Sequence, residues 1–140
     1  MILLDTSGLL AALFSDQKRH NECARALLEA EPPRILSPFV LAELDYLILK
    51  YAGVEAELLM LEEISRGVYK MASFDSHDTE EARIVIEKYR DLRIGLADAS
   101  LVVLANRYDA RDVLTLDERH FRAMRPAPRQ RFRILPADRG

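Results

Sequence analysis

The opening of the chain constrains its fold more than any other stretch. Ile2-Leu3-Leu4 is followed at once by Asp5-Thr6-Ser7-Gly8, and then by Leu9, Leu10, Leu13 and Phe14 at helical spacing. Three consecutive apolar residues leave no polar face, so a strand built from them is covered on both sides. A strand of that kind running straight into a helix belongs to a parallel sheet, because parallel neighbours are joined by crossovers. The rest of the chain repeats the pattern. A helix is expected over Lys18–Ala30, stopped by Pro32-Pro33, then a strand at Ile35-Leu36. Ser37-Pro38 is a helix entry, a capping hydroxyl followed by proline, for a helix reaching Ala52, where Gly53 can make a left-handed C-terminal turn. Further helices are expected over Val54–Arg66, from Asp75 to Arg90, over Gly95–Tyr108 and up to Met124, with strands at Val68–Ala72, Val113-Leu114 and Phe132–Leu135. The expected architecture is a single α/β domain over residues 1–140, a three-layer α/β/α sandwich around a small, mainly parallel sheet of four to five strands. With 49% apolar residues in 140, the chain can build one such core.

Charge and composition narrow the function. A net charge of −3 argues against a protein that grips nucleic acid by charge alone. The one cysteine, Cys23, lies on an amphipathic helical face and reads as a buried structural thiol. Neither a basic leader nor an apolar run of roughly 20 residues is present, so a cytoplasmic protein without a membrane anchor is expected. Basic charge gathers late: Leu116–Gly140 holds seven arginines against three acids. Such an end fits a phosphate-binding edge and equally fits a solvated segment.

Ligands of open parallel sheets bind beyond the carboxyl ends of the strands, and two acids, Asp5 and Asp117, fall there. Asp98 lies in the first turn of the Gly95 helix. Each of these three could simply cap a helix or complement its dipole. Glu43 does not fit that reading. It and Asp45 are the only charged residues between Phe39 and Leu49, and so apolar a helix leaves little exposed face. At least one of the two is therefore expected to point into protein, where an unpaired carboxylate is costly unless it is neutralised or ligates a metal. A salt bridge from elsewhere in the chain is the alternative. Two positions apart on a helix, the pair points about 200° apart, so only one can face a common site. Carboxylates converging at strand ends need a cation, and Mg²⁺ or Mn²⁺ suits an oxygen-only site. The matching chemistry is phosphodiester hydrolysis by an activated water. His20, His77 and His120 show no metal-ligand spacing and read as ordinary surface or core residues.

Four segments resemble the motifs of PIN-domain nucleases, in family order. They are Leu3–Leu10, Ser37–Tyr46, Gly95–Leu101 and Leu114–Phe121, which together span nearly the whole chain. Length and layout are similar to the VapC toxins of VapBC toxin–antitoxin pairs. The resemblance implies that Asp5, Glu43, Asp98 and Asp117 form an acidic Mg²⁺ or Mn²⁺ site. It implies that Thr6 or Ser7, and Thr115, supply hydroxyls that orient a carboxylate or a bound water. It further implies an endoribonuclease that cuts selected structured RNA such as tRNA or ribosomal RNA, a homodimer, and inhibition by a VapB-type antitoxin. The helices holding Leu44, Leu47, Ile48, Leu58, Leu59 and Leu61 could form the antitoxin groove. Arg119 and Arg122, three residues apart and close to Asp117, are the candidate RNA contacts. Two other readings compete. A receiver-type phosphoryl-transfer domain would want an acid just before Asp5 or a late lysine, and the last lysine is Lys88. A PIN domain that has lost catalysis and only binds RNA or protein would show replaced site acids, and all four are in place.

Overall fold

The computed structural model describes residues 1–140 throughout. Five short strands, β1 (Ile2–Leu4), β2 (Arg34–Leu36), β3 (Lys70–Met71), β4 (Asp112–Leu114) and β5 (Arg133–Leu135), form one sheet in the order β3-β2-β1-β4-β5. Every neighbouring pair is parallel, so the sheet is parallel throughout. Seven helices surround it: α1 (Thr6–Leu13), α2 (His20–Glu29), α3 (Pro38–Ala52), α4 (Val54–Ser65), α5 (Ser76–Lys88), α6 (Leu96–Tyr108) and α7 (Glu118–Ala123). Successive strand residues point to opposite faces, and Ile2, Leu3 and Leu4 are all fully buried, so both faces of the central strand are covered. This is the expected three-layer α/β/α arrangement. No helix is long and apolar enough to cross a membrane.

Local chemistry sets the helix ends. Ser37 Oγ accepts the Phe39 N–H ahead of Pro38, which starts α3. Asp75 and Asp78 cap α5 reciprocally, each carboxylate accepting the other's backbone N–H. Gly53 does end α3, but with φ 90° and ψ 175°. That is an extended, positive-φ turn rather than the expected left-handed helical one, and it starts α4 without a break.

The strand order reverses direction at β1. From there the chain proceeds outward through β2 and β3, then returns through α5 and α6 to lay β4 on the other side of β1. A crevice opens beyond the strand ends at such a switch point, here between β1 and β4. Gly8 lets α1 close over that point. A Cβ on Gly8 would lie 2.5 Å from the carbonyl carbon and oxygen of Leu114, closer than packing allows. Cys23 is fully buried, as its helical pattern required.

Candidate metal centre

The β1–β4 switch point is built from hydroxyls and carboxylates in a fixed order. Asp5 sits at the N-cap position of α1, yet its side chain makes no capping hydrogen bond to that helix. The capping explanation therefore fails for Asp5. Its Oδ2 instead accepts a 2.6 Å hydrogen bond from Thr115 Oγ1, across 110 residues of sequence. Thr115 Oγ1 in turn accepts the Asp117 N–H at 2.9 Å, and Ser7 Oγ accepts the Leu116 N–H at 3.0 Å. Ser7 Oγ, with one proton to give, lies 3.3 Å from Thr115 Oγ1 and 3.4 Å from Asp5 Oδ2. Burial pushes the Asp5 carboxyl up to about 7, against the lowering effect of Thr115 and with the help of the nearby Asp98 and Asp117 charges.

Gly95 at the N-cap has no capping side chain, and Asp98 lies in the first turn of α6 with its Oδ2 3.0 Å from the His120 ring. Its carboxyl is also raised, by burial first, then by Asp117 and Glu43, with His120 opposing. Asp117 has both roles the sequence allowed it. Its Oδ1 accepts the His120 N–H at 3.1 Å and caps α7, while its Oδ2 lies 2.9 Å from the His120 ring. Glu43 reaches the group from α3 and accepts a 2.7 Å hydrogen bond from Thr6 Oγ1. Below the acids, Ser37 and Ser100 are both fully buried and 2.7 Å apart. Ser100 donates to the Ala97 carbonyl at 2.6 Å, so Ser37 donates to Ser100. The pair ties the N-cap of α3 to the second turn of α6, and so fixes the helix that carries Glu43 relative to the one that carries Asp98.

All four expected acids thus come together, and Thr6, Ser7 and Thr115 all touch them. Several expectations need correction. Of the two α3 acids one points into protein, as expected, but it is Asp45, while Glu43 is exposed at the rim of a helix whose outer face leaves Tyr46, Leu49 and Tyr51 exposed. Asp45 is the half-buried acid of the pair, its Oδ1 shielded and without a hydrogen-bond partner. It faces α4, where its carboxyl beside Glu57 holds that group above the usual carboxylate range. Leu44 and Ile48 are core, while Leu58, Leu59 and Leu61 are exposed, so the five leucines and one isoleucine of the expected groove do not share one surface. Arg122 is committed to Asp138 and Glu118, at 2.7 and 2.9 Å. The expected arginine pair reduces to Arg119, which is exposed. His120 is the residue that sequence reasoning missed. It belongs to the acid cluster, and its place three residues after a capping aspartate, on the same helix face, was the available signal.

A doubly covered parallel sheet with carboxylates meeting at its switch point, held by hydroxyls that follow the first and fourth strands, is the arrangement of a PIN domain. The chain belongs to the PIN-domain family, whose sequence profile matches residues 2–125. It is 42% identical to ribonuclease VapC26 of Mycobacterium tuberculosis over 135 residues, which cover 96% of this chain and all of that protein. Two solved structures share the fold. VapC20 of M. tuberculosis, described as a sarcin–ricin loop cleaving toxin, superposes with a TM-score of 0.78 at 18% identity, over 85% of this chain and 92% of its own. A chain of a toxin–antitoxin complex from Klebsiella pneumoniae superposes with a TM-score of 0.67 at 19% identity, over 90% and 94%.

Proposed function

We propose that this chain, as a single PIN domain over residues 1–140, is a Mg²⁺- or Mn²⁺-dependent endoribonuclease and the toxin of a type II toxin–antitoxin pair. The observation that carries the reading is the unneutralised cluster itself. Asp5, Glu43, Asp98 and Asp117 gather at the switch point, and the only basic group paired with any of them is His120. That answers the salt-bridge alternative for Glu43. Burial and mutual repulsion already drive two of these carboxyls upward, which is a cost unless a cation joins them. The donor set fits a hard divalent ion, with Asp5, Asp98, Asp117 and Glu43 as the residues that would hold it. When bound, such an ion lowers the pKa of a water and offsets charge on a leaving oxygen.

The protein's own groups do the positioning. Thr115 and Ser7 hold Asp5 in one orientation, and Thr6 steers Glu43 toward the centre. Glu43, exposed at the rim, is placed to accept a proton from an entering water. Arg119, on the first turn after Asp117, meets a phosphate backbone approaching an otherwise acidic edge. The substrate reading, selected structured RNA such as tRNA or ribosomal loops in the cytoplasm, is supported by the likeness to a ribonuclease and to a loop-cleaving toxin. A VapB-type antitoxin as partner is supported by the likeness to a chain from a toxin–antitoxin complex. The exposed Tyr46, Leu49, Leu58 and Leu59 on α3 and α4 offer apolar surface for the antitoxin or for a homodimer.

The test is cleavage of total tRNA and ribosomal RNA, with the new ends mapped. Discrete cuts are expected with Mg²⁺ or Mn²⁺ and none after chelation. Cleavage that survives chelation, or returns only with Zn²⁺, rules the reading out.

A further inference from the structure

His120 is the one site residue whose chemistry differs from the rest. Its ring Nδ1 lies 3.0 Å from Asp98 Oδ2 and 2.9 Å from Asp117 Oδ2. One ligand atom from each of the three residues falls within 4.8 Å of the others. The ring is held there by its own helix. Asp117 Oδ1 fixes the His120 N–H, and the next residue, Phe121, is fully buried with its ring edge-on to Phe132 at 5.3 Å between centroids. Swinging the imidazole away would require breaking the cap or unseating Phe121.

A single Nδ1–H cannot point well at two carboxylates at once, and the ring stands between Asp98 and Asp117. Its Nδ1 lone pair becomes available in the tautomer that carries its proton on Nε2. Oxygen-only sites suit Mg²⁺, whereas imidazole nitrogen favours first-row transition ions. We propose that His120 contributes a nitrogen ligand beside Asp98 and Asp117 and biases this site toward Mn²⁺ over Mg²⁺. The inference rests on the metal-dependent reading above but is separable from it.

The experiment loads the RNA-free, full-length protein with Mn²⁺ alone and records its electron spin-echo modulation, which reads directly bound nitrogen. Affinity for Mn²⁺ is then measured in competition with Mg²⁺. Wild type is expected to show nitrogen modulation. His120→Asn should lose it and lower the Mn²⁺-to-Mg²⁺ affinity ratio about tenfold, while still binding Mg²⁺. If His120→Asn does not fold, a His20→Gln/His77→Gln variant leaves His120 as the lone histidine, and the nitrogen signal should persist in it. Mn²⁺ bound without nitrogen modulation overturns the His120 assignment and leaves the metal reading standing. Folded wild-type protein that binds neither ion overturns both.

Discussion

The floor and the rim of the acid cluster are held in opposite ways. Asp5, at the floor, is 6% exposed, takes a short hydrogen bond from Thr115, and has its carboxyl pushed up to about 7. Glu43, at the rim, is exposed and has a single partner in Thr6. Burial makes the floor carboxylate strained without a cation and rigid with one. Exposure leaves the rim carboxylate free to meet water and substrate. The two acids therefore contribute differently to ion binding and to turnover, although sequence patterning gives them equal standing.

The strongest way to break this contrast is Asp5→Asn. RNA cleavage should fall by several powers of ten, as judged by single-turnover rates, with circular dichroism unchanged. Stability should move the other way. Asp5's folded pKa lies above its unfolded one, so between pH 3.8 and about 7 the folded state holds a proton that the unfolded state has lost. Ion-free wild type therefore loses stability as pH rises through that window, and the Asn variant does not. The gap should open to on the order of 4 kcal/mol above pH 7 and close below pH 4. Urea titrations at both pH values check this, and a variant less stable at pH 7.5 would contradict the strained floor.

Next in size is the rim. Glu43→Gln should cut turnover by about a hundredfold and weaken ion binding less than Asp5→Asn does, with little change in stability, because its carboxylate is already solvated. Asp45→Asn, facing Glu57 instead of the site, should keep near-normal turnover. Equal losses from the two folded variants would show that the rim assignment is wrong. Smaller again is Thr115→Val. Removing the donor to Asp5 should weaken Mn²⁺ binding roughly 10- to 100-fold and shift its pH dependence upward, and Thr115→Ser should restore both. Calorimetric titration across pH distinguishes this from general loosening, which serine would not repair. The smallest effect expected is that of Arg119→Gln. The RNA concentration for half-maximal rate should rise about threefold and its salt dependence flatten, with turnover at saturation kept. An unchanged salt slope would leave Arg119 outside the RNA path.

The floor was legible in the sequence and the rim only partly so. Ile2–Leu4 and Val113-Leu114 announce buried parallel strands by their lack of a polar face, and the residues just after them must then lie at the sheet's carboxyl edge. That placed Asp5 and Asp117, while Thr115 entered only through the resemblance to PIN domains. Burial on so apolar a helix required only that one of Glu43 and Asp45 point into protein, which Asp45 does, and Glu43 itself was singled out by the resemblance. A run of apolar residues on α3 reads as burial, but Tyr46, Leu49 and Tyr51 form an outward face, and composition cannot tell a core face from an exposed apolar one. Arg122 was misjudged because its partner Asp138 returns from 16 residues downstream through β5, a tertiary pairing with no local signature. His120 escaped because a ligand search by spacing compares histidines with one another, and its partners are carboxylates.

The 110-residue separation between Asp5 and Thr115 also dictates the order in which the site comes into being. During synthesis β1 and its acid emerge first, followed by β2, which can pair with β1 early. The second neighbour of β1 is β4, and it leaves the ribosome only when most of the chain has been made. Until then Asp5 lacks its short hydrogen bond from Thr115, and Asp117 and His120 have not yet emerged. A contact of such long range is slow to close and comes late in folding. A nascent or prematurely ended chain therefore carries its first acid in an unfinished setting, and a cell making this protein meets the assembled site only once translation is nearly over.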